Sequence, residues 1–339
     1  MKLIASSDFA RHVTPPGHPE RVERAHVFDA VALDFAEIGG KVTPPRSATD
    51  AELLRVHTAS HLAVIAETAG KAAMFDADTF SSPNSYEVAR LAAGATVQAA
   101  EHALDSREPA LALVRPPGHH AESDKAMGFC LFNNVAVAAA AMLARGLDRV
   151  AIVDIDVHHG NGTQEIFYGD PRVLYVSTHQ FPFYPGTGAA EEVGREDGRG
   201  FTVNVPMEEG STDADYLVVH DEVIEPVLEA FRPQLVLVSA GYDAHQRDPL
   251  ASMRMSADGY AAVMSSIRDV ALRHGALAVV TEGGYDLPAL ALCLEASIRV
   301  LGGSEGRDDL PRDGSRGRRA AAKACTHLAS YWPVRAGRN

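Results

Sequence analysis

The sequence predicts an α/β fold built on one doubly wound, parallel eight-stranded sheet with helices on both faces, with residues 1–339 forming a single domain. Runs such as Val150-Ala151-Ile152-Val153 are short, β-branched and continuously apolar, as strands buried on both faces are. Helical patterns separate these runs, and neither an internal repeat nor a long linker breaks the alternation before residue 302. A chain of 339 residues with 46% hydrophobic and 22% charged residues is long enough and apolar enough to bury one large core.

In chain order, Lys2 to Ser6 reads as a strand and Glu20 to Ile38 as a helix stopped by Gly39-Gly40. Lys41 to Thr43 is a short second strand; Asp50 to Val56 and Ser60 to Gly70 are helices. Phe75 to Pro83 reads as a loop, Tyr86 to Leu104 as a long alanine-rich helix, and Ala110 to Val114 as a strand ending at Arg115-Pro116-Pro117-Gly118. Helix Asn133 to Arg145 precedes strand Arg149 to Val153, and strand Arg172 to Ser177 precedes a loop rich in glycine and proline from Phe181 to Gly200. Strand Phe201 to Val205, helix Asp213 to Phe231, strand Gln234 to Ser239, helix Ala257 to Arg273, strand Ala276 to Thr281 and helix Leu287 to Leu301 follow. Residues 302–317 read as an exposed loop and Arg318 to Trp332 as a terminal helix.

The net charge of −14 argues against attraction to nucleic acid or anionic lipid, and no stretch approaches the ~20 apolar residues of a membrane span. The N-terminus lacks a signal-peptide core, so a soluble cytoplasmic protein is expected. Cys130, Cys293 and Cys325 are too far apart in sequence to suggest a thiolate metal site or a disulfide framework.

The chemistry gathers where strands end. Asp154, Asp156 and His158 share one side of an extended chain, and two carboxylates with an imidazole are groups that Zn²⁺ accepts. Asp243 completes a three-ligand set with Asp156 and His158, which leaves a fourth position open. His119 and His120, after another strand, and Tyr285, after Gly283-Gly284, supply acid, base and phenol. A lone Asp or His after a strand is more often a cap or turn residue. It is the convergence of four strand ends on one crevice that favours a metal hydrolase. His57, His61, His102, His220 and His274 lie in helical patterns and read as surface or core residues.

Six motifs occur in order: Arg115-Pro-Pro-Gly-His119-His120, Gly128-Phe129-Cys130, Asp154-Ile-Asp-Val-His-His-Gly-Asn161-Gly-Thr, Pro185-Gly-Thr-Gly188, Ser239-Ala-Gly-Tyr-Asp243 and Glu282-Gly-Gly-Tyr285. With His18-Pro19-Glu20-Arg21 they resemble the histone deacetylase family of the arginase/deacetylase fold, and Asn161 with His120-Ala-Glu122 resembles its class II-like and bacterial branch. The resemblance implies a Zn²⁺-dependent amidohydrolase acting on acyl-lysine peptides, proteins or small acylated amines, with Fe²⁺ left open as the metal. It also implies a structural K⁺ near Asp154, Asp156, His158 and Ser177.

By the same resemblance Asp156, His158 and Asp243 bind the metal, while Asp154 and Asn161 orient His119 and His120. His120 is the expected base, although an uncharged Asn161 leaves open which histidine moves the proton. Tyr285 is the oxyanion donor, Gly283-Gly284 its hinge, Gly128 a carbonyl for the substrate amide, and Phe129 and Phe181 the channel walls. Gly284 is also expected at the substrate. Leu250 occupies a rim position that is acidic in some polyamine deacetylases. Two alternatives stand beside the acyl-lysine deacylase, namely an acetylpolyamine amidohydrolase and a silent acyl-lysine binding module. Oligomeric state, including a homo-oligomer, is open.

Overall fold

The structure, a computed structural model, describes residues 1–306 and 309–334. Eight strands form one sheet: β1 (Lys2–Ile4), β2 (Lys41–Thr43), β3 (Ala110–Ala112), β4 (Val150–Asp154), β5 (Val173–Gln180), β6 (Thr202–Met207), β7 (Leu235–Ala240) and β8 (Ala276–Thr281). They lie in the order β2-β1-β3-β8-β7-β4-β5-β6, and every pairing is parallel. The fold is the expected doubly wound α/β architecture.

The continuous apolar character of the strands follows from burial on both faces. Ala151, Val153, Val236, Val238, Leu277 and Val279 pack into one core against helices Glu23–Glu37, Ala257–His274 and Leu287–Leu301. Their neighbours Val150, Ile152, Leu235, Leu237, Ala278 and Val280 pack into the other, against helices Ser85–Ser106 and Asn134–Ala144. Each such valine or leucine contributes about 1.5–3 kcal/mol by leaving water. A charge at Ile152 or Val238 would therefore break one core.

Several boundaries differ from expectation. A short helix, Asn161–Phe167, follows directly on the central motif. Within 75–83, Phe80–Ser81 pairs antiparallel with Ala73–Met74 to make a small ribbon. The expected helix 213–231 widens over His220–Ile224, where the Glu225 N–H reaches back to His220 O. Pro226, which has no N–H to give, comes next. The terminal helix is Ser315–Leu328, so it starts inside the expected loop 302–317; residues 307 and 308 of that loop lie outside the described residues. No helix among the described residues is long and apolar enough to cross a membrane.

The topology makes neighbours of the four strands that end in polar motifs, β3, β8, β7 and β4. Parallel register brings their carboxyl ends to one edge, with Asp154 level with Ser239, and Thr281 level with Ala240.

Candidate metal centre and active site

Asp156, His158 and Asp243 are buried, and one ligand atom of each lies within 4.8 Å of the others. His158 Nδ1 stands 3.1 Å from Asp156 Oδ1 and 3.2 Å from Asp243 Oδ2. Backbone donors fix both carboxylates: Gly283 N–H donates to Asp156 Oδ2 (2.8 Å), His158 N–H to Asp156 Oδ1 (2.9 Å) and Val157 N–H to Asp243 Oδ1 (2.9 Å). Asp243 Oδ2 remains buried without an aligned donor. Room for it depends on a glycine, since a Cβ at Gly283 would stand 2.1 Å from Asp243 Oδ2.

The electrostatics of this cluster call for a cation. Burial opposes charge on His158, yet Asp156 and Asp243 outweigh it and push its pKa up to about 10. Burial likewise raises Asp243, with the Asp156 charge adding to it, whereas His119 and His158 hold Asp156 well below the usual carboxylate range against its own burial. Two buried carboxylates, one of them with a spare oxygen, and an imidazole match the three-ligand set of a catalytic zinc site. The residues present therefore fit the metal.

Beside the cluster, His119 and His120 pack with ring centroids 4.0 Å apart. His119 Nδ1 is 3.0 Å from Asp154 Oδ2, and His120 Nδ1 is 2.8 Å from Asn161 Oδ1. With each Nδ1 engaged, Nε2 is the ring nitrogen left for the cavity that both residues line. Their environments separate them. Burial and the neighbouring His119 and His158 drive His120 well below its ordinary pKa, whereas Asp154 and Asp156 overcome burial and raise His119 well above it. His120 is thus the imidazole kept neutral. Burial also pushes the Tyr285 phenol well above 10, despite Arg24, so it remains an O–H donor.

These groups line one cavity of about 240 Å³ with Gly128, Phe129, Leu250 and Gly283 among its walls. Gly128 (φ 56°) and Phe129 (φ 70°) both adopt left-handed backbone, and a Cβ at Gly128 would meet His120 Cδ2 at 2.4 Å. Only glycine fits there. A phenylalanine held at positive φ costs on the order of 1–3 kcal/mol, a strain that the surrounding fold maintains where it sets a wall.

Comparison with known proteins matches residues 16–301 to the histone deacetylase domain. The chain belongs to the histone deacetylase family. This deacetylase-family hydrolase is 41% identical over 291 residues to a probable deacetylase of Archaeoglobus fulgidus, covering 84% of this chain and 81% of the relative. It is 42% identical over 308 residues to a histone deacetylase-like amidohydrolase of Pseudomonas aeruginosa, covering 86% and 79%. Among solved structures, the crystal structure of the HDA15 HD domain superposes with a TM-score of 0.91 at 37% identity, covering 98% of this chain and 97% of that one.

Two of the expected substrate residues of this histone deacetylase homologue are placed elsewhere. Phe181 continues the face of β5 that carries His179 and lies under Lys323 Nζ (5.6 Å), away from the cavity. Phe183 takes the wall instead, stacked on His158 at 5.5 Å, with Tyr184 edge-on to His120 at 5.2 Å. Gly284 turns its carbonyl to Arg24 Nε (2.8 Å) and packs against Tyr242 and Leu290, and Gly283 is the glycine on the cavity.

The sequence reading gave no role to Asp78, which lines the mouth, or to Glu122, which accepts from Asn161 Nδ2 at 2.8 Å. It also missed Asp248, whose Oδ2 accepts the Tyr285 N–H at 2.7 Å. Asp78 sits in a run, Asp76-Ala-Asp78-Thr79, that reads as a solvated loop; only its closure against Phe129, whose N–H donates to Thr79 Oγ1, reveals it. Of the histidines set aside as surface or core, His57 and His61 stack in the core at 4.7 Å with backbone partners.

Proposed function

We propose that this chain is a zinc-dependent amidohydrolase that removes acetyl or related acyl groups from the ε-amine of acyl-lysine. The observation that carries this reading is the convergence of the Asp156-His158-Asp243 cluster, the neutral His120 and the protonated Tyr285 on one narrow cavity walled by Phe129 and Phe183. Bound at the three ligands, Zn²⁺ supplies Lewis-acid polarisation of the acyl oxygen and acidifies water. Neutral His120 takes the proton of the attacking water through Nε2 and later returns it to the leaving amine. Asn161 fixes its tautomer from the Nδ1 side. Raised in pKa by Asp154, His119 places a second imidazole, charged, beside the developing oxyanion, to which Tyr285 donates its O–H. The aromatic walls hold the four-carbon lysine stem and exclude water.

The same reading includes a structural K⁺ near Asp154, Asp156, His158 and Ser177, and a cytoplasmic location consistent with three buried free cysteines. Thermal stability in potassium against a larger monovalent cation tests the former. A second reading, an acetylpolyamine amidohydrolase, gains support from Asp78 at the mouth, an acidic group suited to a distal ammonium. Hydrolysis of acetyl-lysine peptide, trifluoroacetyl-lysine peptide and N-acetylputrescine, each with and without a zinc chelator, separates the two. Chelator-sensitive turnover of the peptides is expected. Preference for the putrescine would promote the second reading, and binding without turnover of any substrate would indicate an acyl-lysine binding module.

A further inference from the structure

We propose that Glu282 is a positioning residue whose carboxylate braces the loop carrying His119 and His120 against the loop carrying Tyr285. The inference rests on the deacylase reading above and adds a residue that touches neither substrate nor metal ligands in it. Glu282 is fully buried. Its Oε2 accepts the N–H of Gly118 at 2.6 Å and of His119 at 3.2 Å, and its Oε1 accepts the Ser239 hydroxyl at 2.8 Å. Two backbone N–H groups share one of its oxygens and the Ser239 hydroxyl engages the other, so both ends of the carboxyl group are tied. Asp154 holds the imidazole of His119, and Glu282 holds its main chain.

A second tie closes the ring from the opposite side. Arg24 donates from Nη2 to the Glu282 carbonyl (2.5 Å) and from Nε to the Gly284 carbonyl (2.8 Å), and its guanidinium lies 5.1 Å from the Tyr285 ring. Glu20 bridges Arg24 to Arg115, with Glu20 Oε1 at 3.0 Å from Arg24 Nη1 and 2.5 Å from Arg115 Nε. Arg115 opens the loop that ends in His119-His120. The two catalytic loops are thus joined at their start through Arg115-Glu20-Arg24 and near the histidines through the Glu282 carboxylate. Loss of Glu282 opens this ring at the point closest to the imidazoles.

Glu282→Gln keeps an oxygen for the two amides and can turn its NH₂ to Ser239 Oγ, whereas Glu282→Ala leaves all three donors unpaired. Wild type and both variants are compared by amide hydrogen exchange and by kcat and KM on acetyl-lysine peptide. Glu282→Ala is expected to lose about ten- to a hundredfold in kcat with KM near its wild-type value, and to expose the Gly118 and His119 amides to exchange. Glu282→Gln is expected to stay close to wild type in both. Wild-type protection and kcat in Glu282→Ala would overturn the brace, as would Glu282→Gln falling as far as Glu282→Ala, which would assign the effect to charge. Should Glu282→Ala fail to fold, Glu282→Asp, charged but one methylene shorter, must show the same loosening of 118–119. A wild type inactive on the peptide would sink the deacylase reading, and the exchange of the two amides would still decide the brace.

Discussion

The buried ionic cluster around Glu20 makes a prediction with a definite sign and size. Glu20 is inaccessible to solvent, paired with Arg115 and Arg24, and 3.5 Å from the equally buried His12. Burial alone would raise its pKa, but the two guanidiniums outweigh burial and bring it down from 4.5 to about 2. At about 1.4 kcal/mol per pH unit, that displacement is worth about 3 kcal/mol of stability. A carboxyl with a depressed folded pKa contributes fully above its unfolded value. The contribution is therefore complete above pH 4.5 and is lost as pH falls towards 2. His12, lowered by burial from 6.5 to about 4, adds a second loss over that higher window, because the unfolded chain takes up its proton first. Glu20→Gln removes the charge and strands two buried guanidiniums, so it should cost about 3–5 kcal/mol at neutral pH. It should also remove Glu20's share of the dependence below pH 4.5, leaving that of other depressed carboxyls such as Glu52. Urea unfolding at a series of pH values measures both. A variant whose stability falls in parallel with wild type below pH 4.5 would show that Glu20 contributes none of the acid dependence.

Other perturbations follow from the site. Asp243→Ala should lose bound zinc and activity together, and stoichiometric zinc in that variant, measured by elemental analysis, would contradict the ligand assignment. Tyr285→Phe removes one oxyanion donor and should lower kcat about a hundred- to a thousandfold while zinc stays bound. Asn161→Asp puts a carboxylate at the 2.8 Å contact with His120 Nδ1, so the imidazole pKa rises and the acid limb of the pH–rate profile moves up by about one to three pH units. An unmoved limb would point away from His120 as the base. Phe183→Ala should raise KM for acetyl-lysine peptide about two- to tenfold through lost aromatic contact, whereas Phe181→Ala should leave KM unchanged.

The sheet was legible because the bodies of its central strands, such as Val150-Ala151-Ile152-Val153 and Leu235-Val236-Leu237-Val238, are continuously apolar, a pattern that burial on both faces sustains. The Asp156-His158-Asp243 cluster and both imidazoles were legible because acids and histidines at the ends of such strands have no packing reason to be there. The helix Asn161–Phe167 was not legible. It spans seven residues, contains Gly162, and begins docked on the histidine loop: Thr163 N–H bonds His119 O, and a Cβ at Gly162 would meet Ala121 O at 2.2 Å. Tertiary contact, not propensity, holds it. The same holds for Phe181 against Phe183. In Gln180-Phe-Pro-Phe-Tyr-Pro185 the two prolines interrupt any period, so sequence offers three aromatic candidates and no means of ranking them.

The residues that position the chemistry divide along the same line. Asp154 is local to the motif it serves, and a strand-end carboxylate announces itself. Glu20, Arg24 and Glu282 act across separations such as the 260 residues between Arg24 and Gly284, and nothing in a single sequence ties one to another. What joins them is strand order: β3 and β8 are neighbours in the sheet although 163 residues separate His119 from Glu282. A charge whose partner lies far along the sequence can therefore sit at zero exposure once topology supplies that partner, as Glu20 does between Arg24 and Arg115. Because a buried charge is tolerated only when paired, each member of this cluster constrains the others, and a substitution at any one should be felt at the Tyr285 loop through Arg24.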